Sequence, residues 1–464
     1  MSTSTGDALM IGVSGMRGTI GGSLTPRVVQ RMSGAFAAWL KERCGDKRPV
    51  VVFGRDSRPS GMWVRDTVLG TLTAAGIEVI DLAIVTTPAV AIMVQHLKAD
   101  AGVVATASHN PIEWNGLKFL TESSVAPPPE DVAAIRKFYD DEVLPTVPVE
   151  EIVNPQHDPT GHAVHIKKVL DRVDVLGISA KAFKVVVDSV NGAGCVSCAT
   201  LLSKLGCRLV HLNDTPNGLF PHEPEPTEAN LQGLCEAVRR QKAAVGFAQD
   251  PDADRLAIVD ENGRYIGEEY TLALAAKFVL GKKKGQGGVA GTNQSTSRML
   301  NDIAAENGAT VVRSAVGEAN VINAMLANNA VIGGEGNGGV IDPRIVPGRD
   351  SLVAMAYVLQ LMAESGKTLS ELVAEIPSYV IVKDKLPLSK KEDAGPAIDA
   401  VAKKYDDENI DTSDGLRVDW PDGWVSVRAS NTEPILRIIA EAPQREAAEA
   451  RVSEVRKIVE ASLA

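Results

Sequence analysis

Residues 101–111 read AGVVATASHNP, an apolar run that ends in a small polar segment closed by a proline. The apolar part, residues 101–104, predicts the end of a buried strand, so Ser108 should lie in a turn at the carboxyl end of that strand. Open α/β sheets bind their ligands at this edge. A serine hydroxyl is a weak nucleophile that needs a base, a cation or a metal nearby. His109 is adjacent and Lys118 lies in a second strand-like run, although a plain surface turn is the alternative.

The length and composition predict a large globular protein. With 464 residues the chain exceeds what one hydrophobic core supports, so about three or four domains are expected. Apolar residues make up 44% and charged residues 23%, which excludes a disordered chain. No apolar run approaches the roughly 18 residues of a membrane span, and residues 1–7 lack the features of a secretory signal. We therefore expect a cytoplasmic protein with no membrane partner.

Charge and cysteine content argue against two further classes of site. The formal net charge of −11 argues against a nucleic-acid partner, because binding to phosphates by counterion release needs a basic face. The five cysteines are odd in number and sparse for the length. Cys195 and Cys198 form a CxxC, but no second pair stands at zinc-ribbon spacing. We interpret these two residues as reduced thiols packed in a helix.

Strand and helix signals alternate along most of the chain. Thr25 and Pro26 mark the start of the first helix, as a cap and a first-turn proline. The alternation predicts mostly parallel sheets covered by helices on both faces. The tail differs: it has strand runs at residues 380–383, 424–428 and 435–440 between two helices. We therefore expect three α/β domains at residues 1–155, 156–258 and 259–376, followed by an α+β domain at residues 377–464.

Residues 250–255 read DPDADR between two strand-like runs. Carboxylates at alternate positions of a short loop can converge on one hard cation. Three carboxylates leave an octahedral Mg²⁺ short of ligands, so a substrate or phosphate oxygen should complete the site. A calcium EF-hand is a further alternative, since Glu261 stands at its twelfth position. It would need Gly where Arg255 stands and helices on both flanks, so the sequence argues against it. A solvated acidic turn is the other alternative.

Two glycine-punctuated segments carry arginines, GVSGMRG at residues 12–18 and GRDSRPSG at residues 54–61. Glycine lets backbone N–H groups approach an anion, and arginine offers a planar fork for oxyanions. Either segment is a weak signal alone. We interpret Arg55 and Arg58 as residues that fix loops through ion pairs.

Two loops in the second half of the chain carry polar groups suited to ligands. Residues 428–434 read RASNTEP, which combines a guanidinium, hydroxyls and turn N–H groups into a phosphate nest, with a capped polar turn as the alternative. Residues 334–339 read GEGNGG and should expose one carboxylate and one amide on a backbone almost without side chains. Glu335 would suit sugar hydroxyls, although the glycines could simply serve tight turns.

Taken in order, five motifs resemble those of the α-D-phosphohexomutase family, which contains phosphoglucomutases, phosphomannomutases and phosphoglucosamine mutases. They are SGMRG at 14–18, TASHNP at 106–111, DPDADR at 250–255, GEGNGG at 334–339 and RASNTEP at 428–434. The resemblance covers nearly the whole chain. It implies three similar mixed α/β domains and a C-terminal α+β domain around a central cleft. It also implies a hexose phosphate mutase of the isomerase class that uses Mg²⁺ and a hexose 1,6-bisphosphate primer.

The resemblance also implies roles for single residues. Ser108 becomes a phosphoserine that donates its phosphate to a hexose phosphate and takes the other phosphate back from the 1,6-bisphosphate. The catalytic set is Ser108, His109, Lys118 and Arg17. The metal set is Ser108, Asp250, Asp252 and Asp254. The substrate-binding set is Arg255, Glu335, Asn337, Arg428, Ser430, Asn431, Thr432 and Arg437.

One departure from the family pattern concerns the substrate. Many glucose and mannose enzymes carry a histidine where this chain has Gly339, so the acid/base role of that histidine cannot be carried over and His109 and Lys118 are the candidates. The loop is similar to that of archaeal-type phosphoglucosamine mutases, which implies glucosamine phosphate, with glucose or mannose phosphate as the alternative. A phosphosugar phosphatase and a non-catalytic phosphosugar-binding protein are alternatives of other classes. A small-molecule phosphosugar is the implied partner, and both a monomer and a homodimer stay open.

Overall fold

The computed structural model describes residues 9–12, 15–430 and 434–463, which form two compact units. The first unit contains the described residues up to Thr271 together with Gly338–Ser370. The second contains Leu272–Asn337 and the described residues from Glu371 onward. Within the described ranges, no helix combines the length and the apolar character needed to cross a membrane.

A seven-stranded mixed sheet forms the amino-terminal part of the first unit. Its strands are β1 (Met10–Gly12), β2 (Gly15–Thr19), β3 (Val50–Arg55), β4 (Glu78–Ile84), β5 (Ala101–Ala105), β6 (Trp114–Thr121) and β7 (Gln156–His157), in the order β1-β2-β6-β5-β3-β4-β7. The pairs along β5-β3-β4-β7 are parallel, whereas those along β1-β2-β6-β5 are antiparallel. The prediction of a mostly parallel sheet is therefore wrong here. Residues 106–113 are too few for a crossover helix, so the chain returns as a hairpin.

The segment at residues 12–18, predicted to be an arginine loop, is mainly strand in its described part. Gly15 opens β2 with a φ of 129°, and a Cβ there would lie 1.9 Å from the carbonyl oxygen of Leu117 on β6. Gly15 thus serves the close approach of two strands, as only glycine can. Arg17 is consequently held by a sheet rather than by a free loop.

Four helices accompany this sheet: α1 (Pro26–Cys44), α2 (Gly61–Ala74), α3 (Thr87–Leu97) and α4 (Pro129–Asp140). Helix α1 begins as predicted, because the Thr25 hydroxyl accepts a hydrogen bond from the Val28 N–H and Pro26 occupies the first position. Its buried face carries Phe36, whose ring stacks on Phe119 of β6 at 4.4 Å between centroids. This core therefore anchors β6, and with it Lys118.

A second sheet in the same unit contains β8 (Lys184–Asp188), β9 (Arg208–Leu212), β10 (Val245–Gln249) and β11 (Leu256–Val259), in the order β11-β10-β8-β9. The pairs β10-β8 and β8-β9 are parallel, and β10-β11 is antiparallel. Its helices are α5 (Gly161–Leu170), α6 (Val175–Ser179), α7 (Gly194–Lys204) and α8 (Gln232–Gln241). The antiparallel turn between β10 and β11 carries residues 250–255, so the predicted strand flanks of that loop are confirmed and an EF-hand is excluded.

The second unit begins with α/β structure. Its elements are α9 (Glu269–Gly281), β12 (Val289–Asn293), α10 (Met299–Glu306), β13 (Thr310–Ser314), α11 (Glu318–Ala327) and β14 (Ile332–Glu335). Strand β12 lies between β13 and β14 and is parallel to both. The carboxyl ends of β12 and β14 therefore lie side by side, which brings Asn293 next to Glu335.

Strand β15 (Gly339–Ile341) and helix α12 (Ser351–Ser365) belong to the first unit again. The Asp350 carboxylate caps α12, because its Oδ1 accepts from the N–H groups of Leu352 at 2.9 Å and Val353 at 3.4 Å. The helix is buried along most of its length and packs against α5, α6, α7 and β11. Its amino terminus thus has a fixed place beside the β10–β11 turn.

The tail forms an antiparallel five-stranded sheet after the short helix α13 (Leu369–Ala374). The elements are β16 (Val380–Pro387), α14 (Ala394–Lys404), β17 (Asn409–Asp411), β18 (Leu416–Trp420), β19 (Gly423–Ala429), β20 (Ile435–Ala442) and α15 (Arg445–Leu463), with the sheet order β16-β20-β19-β18-β17. The predicted α+β character is confirmed. The sequence does not predict strands β17 and β18, because the turn-forming residues 411–415 (DTSDG) interrupt the strand pattern there.

Cys195 and Cys198 lie on α7 as free thiols, as predicted. Burial raises the pKa of both thiols to about 12. At pH 8 only about one thiol in 10⁴ is then ionised, so we expect alkylation by iodoacetamide to be about 10³-fold slower than for a free cysteine. Peptide mapping after timed alkylation would measure this, with the partly exposed Cys44 as the internal comparison. Equal labelling of Cys198 and Cys44 in the native protein would contradict it.

Candidate active site

Ser108 lies in a tight turn directly after β5. Its backbone is left-handed, with a φ of 52°, and its side chain is buried. Its N–H donates to Thr106 Oγ1 at 2.9 Å, and the Thr106 hydroxyl donates to Asp56 Oδ2 at 2.7 Å. A non-glycine residue adopts this conformation only where its surroundings enforce it, commonly at functional sites. The turn therefore holds Ser108 Oγ in one direction.

Arg58 is the main support of this turn. It is completely buried, and its Nε donates to Asp56 Oδ2 at 3.0 Å. Its Nη1 and Nη2 donate to four carbonyl oxygens of the turn, those of Ser108 (2.7 Å), Asn110 (2.6 Å), Pro111 (2.5 Å) and Trp114 (3.0 Å). The predicted ion pair thus exists for Arg58. Arg55 instead donates to the Asp56 carbonyl at 3.1 Å and forms no ion pair with any residue in the described ranges.

Asp250, Asp252 and Asp254 converge in the β10–β11 turn. All three are completely buried, and one carboxylate oxygen of each lies within 4.8 Å of the others. Ser108 Oγ donates to Asp250 Oδ2 at 3.2 Å, and Lys118 Nζ lies 2.7 Å from Asp252 Oδ2. Among the described residues, neither Asp252 Oδ1 nor Asp254 Oδ1 has a hydrogen-bond partner. Buried carboxylate oxygens without partners are costly, so the loop fits a hard divalent cation.

The three carboxyl groups differ in protonation because their surroundings differ. Burial raises the pKa of Asp250 well above its usual range, and the charges of Asp254 and Asp252 add to this. Burial acts in the same direction on Asp252, but the Lys118 ammonium outweighs it and holds the pKa of Asp252 below its usual value. The pKa of Asp254 is also lowered, since Arg349 and Lys118 overcome its burial. At least two of the three groups are therefore ionised at neutral pH.

Two arginines approach the same carboxylates. The guanidinium of Arg17, on β2, forms no hydrogen bond or ion pair with any residue that the structure describes; burial lowers the pKa of Arg17 while Asp252 and Asp254 act in the opposite direction. Arg255 Nε lies 3.9 Å from Asp254 Oδ1 and has no hydrogen-bond partner within the described ranges. Guanidinium groups with open donors are suited to a phosphoryl group.

His109 lies between the serine and an acidic side chain. Its Nδ1 is 3.4 Å from Ser108 Oγ, and its Nε2 is 3.8 Å from Glu225 Oε1. Burial and the nearby guanidinium groups of Arg255 and Arg17 lower the pKa of His109 to about 3. The imidazole is therefore neutral near pH 7, and with this pKa it is a weak base.

Glu335 and Asn337 form a pair in the second unit. Glu335 is only 4% exposed, so the prediction that its loop exposes this carboxylate is wrong. Its Oε1 accepts from Asn293 Nδ2 at 2.9 Å, and its Oε2 accepts from Asn337 Nδ2 at 3.5 Å. The reason is the parallel pairing of β12 with β14, which places the amide of Asn293 against the carboxylate. The amides of Asn293 and Asn337 thus fix the orientation of the Glu335 carboxylate.

The predicted phosphate nest falls in the sequence between the end of β19 and the start of β20. Arg428 and Arg437 are cross-strand neighbours there, and Arg437 is exposed. Arg428 Nη1 lies 3.5 Å from Asp414 Oδ2. Ser430 is buried and its N–H donates to the Ile435 carbonyl, so this N–H is not open to a ligand. Asn431 and Thr432 lie outside the described residues.

Known proteins that match this chain identify its family. Four domains match in order: phosphoglucomutase/phosphomannomutase alpha/beta/alpha domain I at residues 8–144, domain II at 163–263, domain III at 267–379 and the C-terminal domain at 379–458. A Thermococcus kodakarensis protein named phosphoglucomutase/phosphomannomutase is 41% identical over 95% of this chain and 96% of its own length. The chain belongs to the phosphoglucomutase/phosphomannomutase family.

Further relatives of this phosphohexomutase support the same family assignment. The probable phosphoglucosamine mutase of Methanopyrus kandleri is 38% identical over 94% of each chain. A phosphoglucomutase/phosphomannomutase family protein from Burkholderia thailandensis has the same fold, with a TM-score of 0.84 at 27% identity and 98% of each chain covered. The predicted family and fold class are thus confirmed, and the chain is a hexose phosphate mutase of the isomerase class. The boundaries at residues 155, 258 and 376 stay predictions.

The sequence patterns of this phosphohexomutase do not reveal three residues that orient predicted site residues within their own units. Thr87 Oγ1 donates to Asp252 Oδ2 at 2.7 Å, and Arg349 Nη2 donates to Asp254 Oδ2 at 2.6 Å. Asn293 orients Glu335, as described above. Thr87 is visible in the sequence only as part of a helix start, and Arg349 only as the neighbour of a helix cap. Each joins its partner across a long stretch of chain, so no local signal could reveal it.

Proposed function

We propose that this phosphohexomutase interconverts the 6-phosphate and the 1-phosphate of glucosamine, with Ser108 as the carrier of the phosphoryl group. The observation that supports this most directly is the 3.2 Å contact between Ser108 Oγ and Asp250 Oδ2. It sets a positioned hydroxyl against a loop of three buried carboxylates. The phosphoryl group passes from Ser108 to the free sugar oxygen, giving a hexose 1,6-bisphosphate, and the other phosphate then returns to Ser108. The same bisphosphate serves as the primer.

Mg²⁺ is the cation that we assign to the loop, with Asp250, Asp252, Asp254 and a phosphate oxygen on Ser108 as its ligands. Two buried oxygens without partners in the described ranges support this assignment. When bound, Mg²⁺ would offset negative charge on the transferring phosphoryl group. Lys118 supplies a positive charge of the protein beside the same carboxylates and keeps Asp252 ionised.

Arg17 and Arg255 are the residues that we assign to the phosphoryl oxygens. Phosphoryl transfer passes through a loose transition state, so positioning and charge stabilisation account for most of the catalysis. Asp252 and Asp254 act electrostatically on Arg17, and Arg255 Nε lies 3.9 Å from Asp254 Oδ1. Neither arginine donates from its Nη atoms to a described residue. Their role is to hold the phosphoryl group in line between Ser108 Oγ and the sugar oxygen.

We assign the proton transfer to His109, because of the two candidates it is the one in contact with Ser108 Oγ. Its Nδ1 is 3.4 Å from Ser108 Oγ and its ring is neutral, whereas the Lys118 ammonium is engaged by Asp252 and Asp254. As the sugar oxygen forms its bond to phosphorus, His109 takes the proton from that oxygen. The bond between phosphorus and Ser108 Oγ breaks in the same step, and the proton passes on to Ser108 Oγ. The return transfer runs in the opposite sense.

Within the second unit, two groups of residues are assigned to sugar hydroxyls and to a phosphate. Glu335, oriented by Asn293, accepts from sugar hydroxyls, and Asn337 adds an amide. Arg428, Ser430, Asn431, Thr432 and Arg437 hold the phosphate that is not being transferred. The cross-strand register of Arg428 and Arg437 supports an anion site, since it places two arginines opposite each other on neighbouring strands.

Glucosamine phosphate is the preferred substrate in this proposal, because Gly339 stands where many glucose and mannose enzymes carry a bulky histidine and several similar relatives are named probable phosphoglucosamine mutase. A site that merely tolerates a small polar change discriminates weakly, so we expect kcat/KM to favour glucosamine 6-phosphate by about 10- to 100-fold over glucose and mannose 6-phosphates. The measurement is a parallel assay of these three and of N-acetylglucosamine 6-phosphate, with primer and Mg²⁺. A higher kcat/KM for glucose or mannose phosphate would reject the aminosugar assignment alone.

Glucose or mannose phosphate is the second candidate substrate. The 41% identical relative is named phosphoglucomutase/phosphomannomutase, and Glu335 contacts hydroxyls that all these sugars can share. The same assay separates a mutase from a phosphatase, because a mutase releases the isomer and little free phosphate. Stoichiometric release of inorganic phosphate would contradict return transfer to Ser108.

A further inference from the structure

His165 lies in a buried network that reaches the proposed metal loop, which is residues 250–255 between β10 and β11. It is carried by α5, and Thr86, His165 and Asp350 are all completely buried. The His165 Nε2 is 2.6 Å from Asp350 Oδ2, and its Nδ1 is 3.3 Å from Thr86 Oγ1. Because a carboxylate only accepts, Nε2 donates to Asp350, and Nδ1 pairs with the Thr86 hydroxyl. One imidazole thus bridges two segments that are far apart in the sequence.

Each bridged residue is the cap of a helix. Thr86 Oγ1 accepts from the Ala89 N–H at 3.2 Å at the start of α3, and Asp350 Oδ1 caps α12 as described above. Cap geometry fixes the backbone on both sides of the capping residue. His165 therefore sets the distance between the amino termini of α3 and α12.

The residues beside the two caps hold neighbouring carboxylates of the metal loop. Next to Thr86, the Thr87 hydroxyl donates to Asp252 Oδ2 at 2.7 Å and its N–H donates to the Asp252 carbonyl at 3.0 Å. Next to Asp350, Arg349 donates to Asp254 Oδ2 at 2.6 Å. On its other side, Ser351 Oγ donates to the Ala253 carbonyl at 2.7 Å. The loop is thus held from two sides, and His165 joins the two sides.

We propose that His165 is a positioning residue that sets the spacing of the Asp252 and Asp254 carboxylates for their divalent cation. It touches neither carboxylate and acts through the Thr86–Thr87 and Arg349–Asp350 pairs. The inference rests on the proposed metal site and adds a residue that is remote from the metal loop in the sequence. Groups that orient the ligands of a metal commonly change its affinity by about 10- to 100-fold when they are removed.

The test compares His165→Leu with His162→Leu. His162 lies one turn earlier on the same helix, and its Nε2 is 3.1 Å from the Ile84 carbonyl rather than from either cap. Mn²⁺ binding is measured by an electron paramagnetic resonance titration, and thermal unfolding of each variant is followed in parallel. We expect the Kd for Mn²⁺ to rise about 10- to 100-fold in His165→Leu and to stay within about twofold in His162→Leu, whatever happens to Tm.

A folded His165→Leu protein with the wild-type Kd for Mn²⁺ overturns the inference. If that variant does not fold, Thr86→Val breaks the other end of the bridge, and Thr86→Ser, which keeps the hydroxyl, is its control. Wild-type Mn²⁺ affinity in Thr86→Val then overturns the inference instead. If the unaltered protein binds no Mn²⁺, the proposed metal site is rejected and this inference with it, so the two failures are distinguishable.

Discussion

A Ser108→Ala variant should lose more than about 10³-fold in kcat and still fold, because no other hydroxyl in the turn can carry the phosphoryl group. Alanine removes the oxygen that lies 3.2 Å from Asp250 Oδ2 and leaves the Arg58 contacts to the turn backbone unchanged. The measurement is a coupled assay with glucosamine 6-phosphate, Mg²⁺ and the bisphosphate primer, together with circular dichroism for the fold.

The chain offers a matched control in Ser124. This serine is also buried and left-handed, with a φ of 64°, and its Oγ donates to the Ala91 carbonyl at 2.6 Å. We expect Ser124→Ala to keep kcat within about threefold, since it shares the backbone geometry of Ser108 but none of its site contacts. The carrier role fails if Ser108→Ala is nearly as active as the wild type, or if intact-mass analysis of the primed protein finds no phosphate on Ser108.

Alanine at Asp250, Asp252 or Asp254 should each abolish Mg²⁺-dependent activity, with losses of at least about 10³-fold in kcat. Each change removes one of the three proposed metal ligands, and no other acidic residue among those described lies in the same cluster. Asp252→Ala also leaves the Lys118 ammonium without its closest carboxylate, and Asp254→Ala does the same to Arg349. The corresponding Asp→Asn variants keep the volume and separate the loss of charge from the loss of packing.

Glu261→Ala is the control for this series. Its carboxylate lies just beyond β11 and accepts hydrogen bonds from the hydroxyl and the N–H of Ser370, so it is held outside the loop. We expect Mg²⁺ activation of Glu261→Ala to stay within about twofold of the wild type, because the loop is not an EF-hand. A tight Ca²⁺ site that depends on Glu261, or full activity in Asp252→Ala, would contradict this.

Local patterns predict the parts of the site that are local in the sequence. The apolar run before Ser108 indicates a strand end, and β5 ends at Ala105. The alternate aspartates indicate convergence on one point, which the buried cluster shows. The cap at Thr25 follows from residue types that satisfy free N–H groups. In each case the pattern and the structure concern residues within a few positions of one another.

Long-range partners could not be read in this way. The burial of Glu335 depends on Asn293, which lies 42 positions earlier and meets it only because β12 and β14 pair. The contact of Thr87 with Asp252 spans 165 positions, and that of His165 with Asp350 spans 185. The antiparallel half of the first sheet could not be predicted for a related reason. The apolar pattern of a strand shows which of its faces is buried but not whether the neighbouring strand runs parallel or antiparallel to it.

The left-handed backbone at Ser108 predicts which residues replace this serine in evolution. A side chain at a φ of 52° costs about 1 kcal/mol or more relative to glycine, so stability alone favours Gly or Asn at this position. A lineage that no longer needs the phosphoryl carrier should therefore drift toward those two residues rather than toward alanine. In descendants of this protein, Gly or Asn at position 108 would mark a lost activity on a fold that has become more stable.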